Sequence, residues 1–230
     1  MIEDAAVFSV LSKCFGPVDE AEWKHLSDSA VWSEFLDGAR RLMQDDGTLG
    51  RDLSPMQRMR ISRDRCPLQD FLSAGEVDAL YCPPTFAEKR SFAARHFTGG
   101  LPDSALPVES LYTAWDRPGT PDSLFAGATN MYLGRSARYM QALCESMNLT
   151  VPDDFAACPD HLALELDVCA VLLRSNMVDE ARTFLSERFD WLTAYRMRLI
   201  ELSDDARFYI GLVDVLLGIV ATQTADLEEE

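Results

Sequence analysis

The chain has 230 residues, with 38 acidic against 21 basic side chains and a formal net charge of -17. That length is enough for a core without a metal or disulfide staple, and the acidity opposes general binding to nucleic acid, whose phosphates need Lys and Arg, or to anionic lipid. It favours encounter with a basic partner.

The N-terminus is acidic at Glu3 and Asp4 and lacks the basic start of a signal peptide. Val7, Phe8, Val10, Leu11 and Phe15 form a broad stripe at helical spacing over residues 4–15, and Gly16-Pro17 stops it. A second helical piece holds Trp23 and Leu26. A third spans residues 29–43, with Val31, Trp32, Phe35, Leu36, Ala39 and Met43 on one side. Asp45-Asp46-Gly47 ends it. Ser54-Pro55 opens a further helix over residues 55–65.

Phe71, Leu72, Val77, Leu80 and Tyr81 predict short helical turns that stop at Pro83-Pro84. Thr85 caps a helix containing Phe86, Phe92 and Phe97, with Glu88 at the capping-box position. Residues 99–121 are rich in Gly and Pro and form a long connection, a possible hinge. Later helices are predicted over residues 123–147, 159–174, 178–202 and 205–222. The acidic tail, residues 226–230, is frayed. No alternating strand pattern occurs. The expectation is an all-α fold: one compact domain of about ten helices over residues 1–225.

Six cysteines, at 14, 66, 82, 144, 158 and 169, are scattered without a C-x-x-C pair, as free thiols are rather than a disulfide scaffold. Residues 208–220 are the most apolar late stretch. They are too short to cross a bilayer and include Asp214, so a soluble cytoplasmic protein with no stable membrane insertion is expected. H-E-x-x-H, the phosphate-binding loop and the dinucleotide fingerprint are all missing, and Gly134-Arg135-Ser136-Ala137 does not complete a nucleophile elbow. No enzyme activity, catalytic residue, metal or cofactor is expected.

Three places stand out. After Cys158-Pro159, Asp160 lies near a helix start, where backbone N–H groups favour a carboxylate. His161 and Glu165, four apart, share a face, while Leu162, Leu166, Cys169 and Leu173 form another suited to the core. The sequence fits either a recognition face or a capped helix with a surface His–Glu pair. Cys158, His161, Glu165 and Cys169 could be drawn together as a metal set, but structural-zinc spacing is missing. Around Trp191, Phe184, Leu185, Leu192, Tyr195 and Leu199 form an apolar band interrupted by Glu187, Arg188 and Asp190. This is either a peptide groove or a core with its solvated edge. In residues 107–112 and beyond, Tyr112 and Trp115 anchor the long connection, with Glu109 and Asp116 near the surface.

In this order, the three places resemble the cytoplasmic chaperones of molybdoenzymes of the dimethyl sulfoxide and trimethylamine N-oxide reductase type. Residues 107–112 resemble that family's Pro-x-Glu-Ser-x-Tyr. Pro159-Asp160-His161-Leu162 through Glu165-Leu166 resembles Pro-Asp-His-x-x-x-Glu-Leu. Residues 184–191 resemble its Phe-Leu-x-x-His-Leu block followed by Trp, and Phe97-Thr98-Gly99 resembles the preceding Phe-x-Gly. The resemblance implies an all-α fold, monomeric or domain-swapped. It also implies binding of the twin-arginine signal peptide, or the body, of a molybdopterin oxidoreductase subunit until its cofactor is inserted. Asp160, His161, Glu165, Glu109, Ser110, Tyr112, Arg188 and Trp191 are the implied peptide-binding residues. Two departures are plain: Arg188 stands where the family usually has His, and Cys158 where an acidic residue is common. A nitrate-reductase assembly chaperone acting on the mature catalytic subunit is an alternative, as is a helical adaptor. Some family members have been linked to guanine nucleotides, but the sequence has no phosphate loop.

Overall fold

The structure, a computed structural model, describes residues 3–44, 74–99, 102–113, 134–202 and 205–224. Its described residues form ten α-helices: α1 (Asp4–Phe15), α2 (Glu20–Leu26), α3 (Ser29–Gln44), α4 (Ala74–Tyr81), α5 (Phe86–His96), α6 (Arg135–Ser146), α7 (Leu162–Arg174), α8 (Val178–Arg188), α9 (Leu192–Ile200) and α10 (Arg207–Thr224). Two single 3-10 turns, Glu109–Leu111 and Asp153–Phe155, complete the set. Among the described residues no strand forms, and the β-type pairing is an isolated antiparallel bridge between Val108 and His161. The expected all-α architecture holds.

Hydrophobic residues all round a helix require neighbours all round it, and this selects the centre. In α7, Leu162, Ala163, Leu164, Leu166, Val168, Cys169, Ala170 and Leu172 are buried on several faces. α1 buries Val7, Phe8, Val10, Leu11, Cys14 and Phe15. Among the described elements these two helices pack most extensively on each other, while α10 packs on α3, α4, α8 and α9. At the end of α1, a Cβ on Gly16 would stand 3.1 Å from the Ser12 carbonyl oxygen and 3.2 Å from Ala163 Cβ. The missing side chain lets α1 end against α7.

Polar atoms taken into this core find partners that fix neighbouring elements. Trp23 Nε1–H donates to the Pro84 carbonyl at 2.8 Å, and Trp32 Nε1–H to the Leu80 carbonyl at 2.6 Å. Lys89, buried on α5, donates to the Gly16 carbonyl at 2.8 Å and lies over the Trp23 ring. The capping box predicted at Thr85 and Glu88 forms, with Thr85 N–H donating to Glu88 Oε2 at 2.8 Å. Asn148 and Asn176 follow the ends of α6 and α7 with φ of 55° and 58°, the left-handed conformation that closes a helix and that Asn tolerates.

Three boundaries differ from the sequence reading. The helix expected from residue 159 begins at Leu162. The single helix expected over residues 178–202 is two, α8 and α9, broken at residues 189–191. Phe189 and Trp191 are both buried. Two residues apart, they would point to nearly opposite faces of a continuous helix, and the break turns both inward. The late apolar stretch is longer than expected. α10 has 18 residues and a mean hydropathy of 1.3, enough by length and composition alone to cross a membrane. Ten of its residues are buried in the fold, and Asp214 pairs with Arg196 at 2.5 Å, as in a core helix. Within the helix expected over residues 123–147, α6 occupies Arg135–Ser146. The expectations for residues 54–65, 71–72, 115–116 and 226–230, and for Cys66, lie outside the described residues. The other five cysteines are unpaired.

Candidate functional site

The three stretches singled out in the sequence meet at one place. Residues 107–110 run antiparallel to residues 160–162. Leu162 N–H donates to the Pro107 carbonyl at 2.8 Å, and Glu109 N–H to the Asp160 carbonyl at 3.0 Å. The Asp160 carboxylate accepts from Ser110 N–H at 2.9 Å. A short piece of two-stranded backbone thus locks the start of α7 to the connection that precedes α6.

Asp160 was expected to serve the start of its own helix. The structure gives that position to His161, whose Nδ1 accepts from Ala163 N–H at 3.1 Å, while Asp160 reaches across to Ser110. The His161 ring is therefore neutral at Nδ1. It lies against Phe155, and burial, reinforced by the Lys89 charge, pushes its pKa down to about 3. The expected surface His–Glu pair does not exist: Asp160 and Glu165 are 0% exposed and His161 is 6%.

Glu109 is also buried and forms an ion pair with Arg188, the last residue of α8. The Arg188 guanidinium lies 4.7 Å from the centre of the Tyr139 ring, within cation–π range. Tyr112 stacks on Trp191, ring centres 5.6 Å apart, and meets Tyr195 edge-on at 5.3 Å. The eight residues implied by the resemblance thus lie on one connected set of contacts, but as an internal polar knot with an aromatic rim.

The knot is rich in acceptors and poor in donors. Among the described residues, Asp160 Oδ1, both Glu165 carboxyl oxygens and Ser110 Oγ have no hydrogen-bond donor or acceptor, and Arg188 Nε is also idle. A buried carboxylate without donors is costly. Burial raises the Glu165 pKa well above the usual carboxylate range, and the neighbouring Glu109 charge raises it further. Burial also raises Glu109, but Arg188 opposes that shift. Burial and the Glu109 charge thus favour the neutral, protonated form of Glu165 beside the Arg188-paired Glu109.

The sequence reading missed Ser136 and Tyr139, both on α6. Ser136 stands beside Glu109 and opposes the rise of its pKa, and Tyr139 covers Arg188. Tyr139 is 42% exposed; an exposed aromatic is common on helices, so spacing alone does not mark it. The residues drawn together as a metal set do not converge. Among the described residues no group of three or more His, Cys, Asp or Glu is arranged to hold a metal ion. Two clefts, of about 640 and 400 Å³, lie elsewhere, the larger beside α4, α5 and the start of α10, the smaller beside α1 and α7. Asp160, His161 and Glu165 line neither.

Residues 89–201, 113 of the 230, match the model of a family described as nitrate reductase delta subunit. The match is partial and agrees with the chaperone resemblance. All three sequence blocks fall inside it. No curated protein matches the chain.

Proposed function

We propose that the chain is a cytoplasmic chaperone in molybdoenzyme maturation, holding the twin-arginine signal peptide of a molybdopterin oxidoreductase subunit until the cofactor is inserted. The observation that carries this reading is the convergence of the three blocks, from residues 107–112, 159–166 and 184–191, on one acceptor-rich knot with an aromatic rim. An arginine guanidinium is suited to such a place. It is planar, carries five donors and pairs with carboxylates in parallel hydrogen bonds. With Asp160 and Glu165 fully buried, a client arginine approaches from the edge formed by Tyr139 and Arg188, which are not. The apolar middle of a signal peptide then packs against helices beside that edge, as amphipathic segments do in helical grooves.

The description of the matched family favours a second reading, an assembly chaperone acting on the mature catalytic subunit of a nitrate-reductase type enzyme. Both readings are tested by deleting the gene from its native host and measuring molybdopterin occupancy of each molybdoenzyme. The expected result is one cofactor-deficient reductase, restored by the intact chain. Full occupancy of every molybdoenzyme in the deletion strain removes both readings. Replacing the arginine pair of the affected client separates them, since only signal-peptide capture depends on it.

A further inference from the structure

We propose that Arg188 is the chain's own occupant of an arginine-receiving pocket, so that the site is closed by an internal cation and takes a peptide arginine by displacing it. The pocket has the parts that recognise a guanidinium. Glu109 supplies a buried carboxylate, Tyr139 an aromatic face and Ser136 a hydroxyl. Glu109 and Tyr139 serve Arg188 now, with Ser136 beside Glu109, and the three would serve an arginine from another chain equally well.

Two features mark Arg188 as a replaceable occupant. The guanidinium meets Glu109 through Nη2, and among the described residues its Nε–H has no acceptor. The parallel two-bond geometry that favours Arg over Lys is therefore unused. Arg188 is also the last residue of α8, directly before the break at residues 189–191, so its side chain can leave without disturbing a helix interior. Asp160 Oδ1, fully buried, has no donor among the described residues, so the pocket holds fewer donors than it can use. A guanidinium entering from outside would bring up to five.

The ligand class is a guanidinium-bearing side chain on a peptide. The inference rests on the proposed function for the client's identity but not for its test. Argininamide is titrated into the full chain by calorimetry, with lysinamide as control, for the wild type, R188Q and R188Q/E109Q. An occupied pocket lowers apparent affinity in proportion to the fraction that is free. R188Q is expected to bind argininamide roughly tenfold tighter than the wild type, lysinamide should gain little, and E109Q should remove the gain. Where circular dichroism shows R188Q unfolded, R188K carries the same comparison with a smaller expected gain. Equal affinities for variant and wild type, an equal gain for lysinamide, or a gain that survives E109Q overturns the inference. Failure of the wild type to capture any twin-arginine peptide, with the R188Q gain intact, removes the proposed function and leaves this inference standing.

Discussion

Replacing His161 with Asn separates the helix-capping role of this residue from its titration. The ring is 6% exposed, and its Nδ1 caps α7 through Ala163 N–H at 3.1 Å. Its pKa is about 3 in the fold against 6.5 in the ordinary state, because burial and then Lys89 oppose the charged form. The unfolded chain therefore takes a proton that the folded chain refuses. The stability associated with His161 is complete above 6.5 and is lost as pH falls toward about 3. At about pH 5 the unfolded ring is favoured roughly 30-fold by protonation, which lowers folding stability by about 2 kcal/mol. His161→Asn keeps a side-chain oxygen at the cap and removes the titration. Urea unfolding of both proteins at about pH 7.5 and about pH 5 measures the difference, because every other side chain is common to the two. The wild type is expected to lose about 2 kcal/mol more than the variant. Equal losses would refute the neutral, buried state of the ring.

Glu165 behaves in the opposite sense. Its raised pKa means that the fold holds a proton which the unfolded chain releases above 4.5, so the associated stability is present below that value and declines as pH rises. Glu165→Gln should gain on the wild type as pH rises from about 5 to about 8 in urea titrations; parallel curves would contradict the protonated state. Glu109→Ala strands a partly buried guanidinium and should cost about 3 kcal/mol. The double variant with Arg188→Ala should cost less than the sum of the two single changes, and strict additivity in denaturation would deny the ion pair. Gly16→Ala forces α1 away from α7 and should cost about 1–3 kcal/mol, read as a lowered melting midpoint; an unchanged midpoint would show that the helices can separate without penalty.

Local signals in the chain gave a good account of the helices. Thr85 with Glu88, and Gly16 with Pro17, act through contacts within a few residues, and the structure follows them. The break after Arg188 depends instead on where two aromatic side chains are needed. Phe189 and Trp191 become a boundary only once Tyr112, 79 positions before Trp191, stacks on one of them. A pair of large aromatics two residues apart in a helical pattern was the available clue. The residues of the knot were legible through the resemblance, but their burial was not. Asp160, His161 and Glu165 look like a solvated helix face when residues 107–110 are not beside them. His161 as a cap was hidden for a related reason, since Asp160 is ordinarily the better capping residue and is drawn away by Ser110 N–H.

The proposed function requires an arginine-paired peptide to be captured at the knot joining residues 107–112, 160–165 and 188. Its most direct test is hydrogen exchange on the full chain with and without the N-terminal peptide of the reductase affected by gene deletion, beside the same peptide with both arginines changed to Lys. Altered exchange at residues 107–113 and 159–166, and in α6, is expected with the arginine peptide alone. Identical exchange with both peptides, or changes confined to the cleft beside α4 and α5, would contradict it.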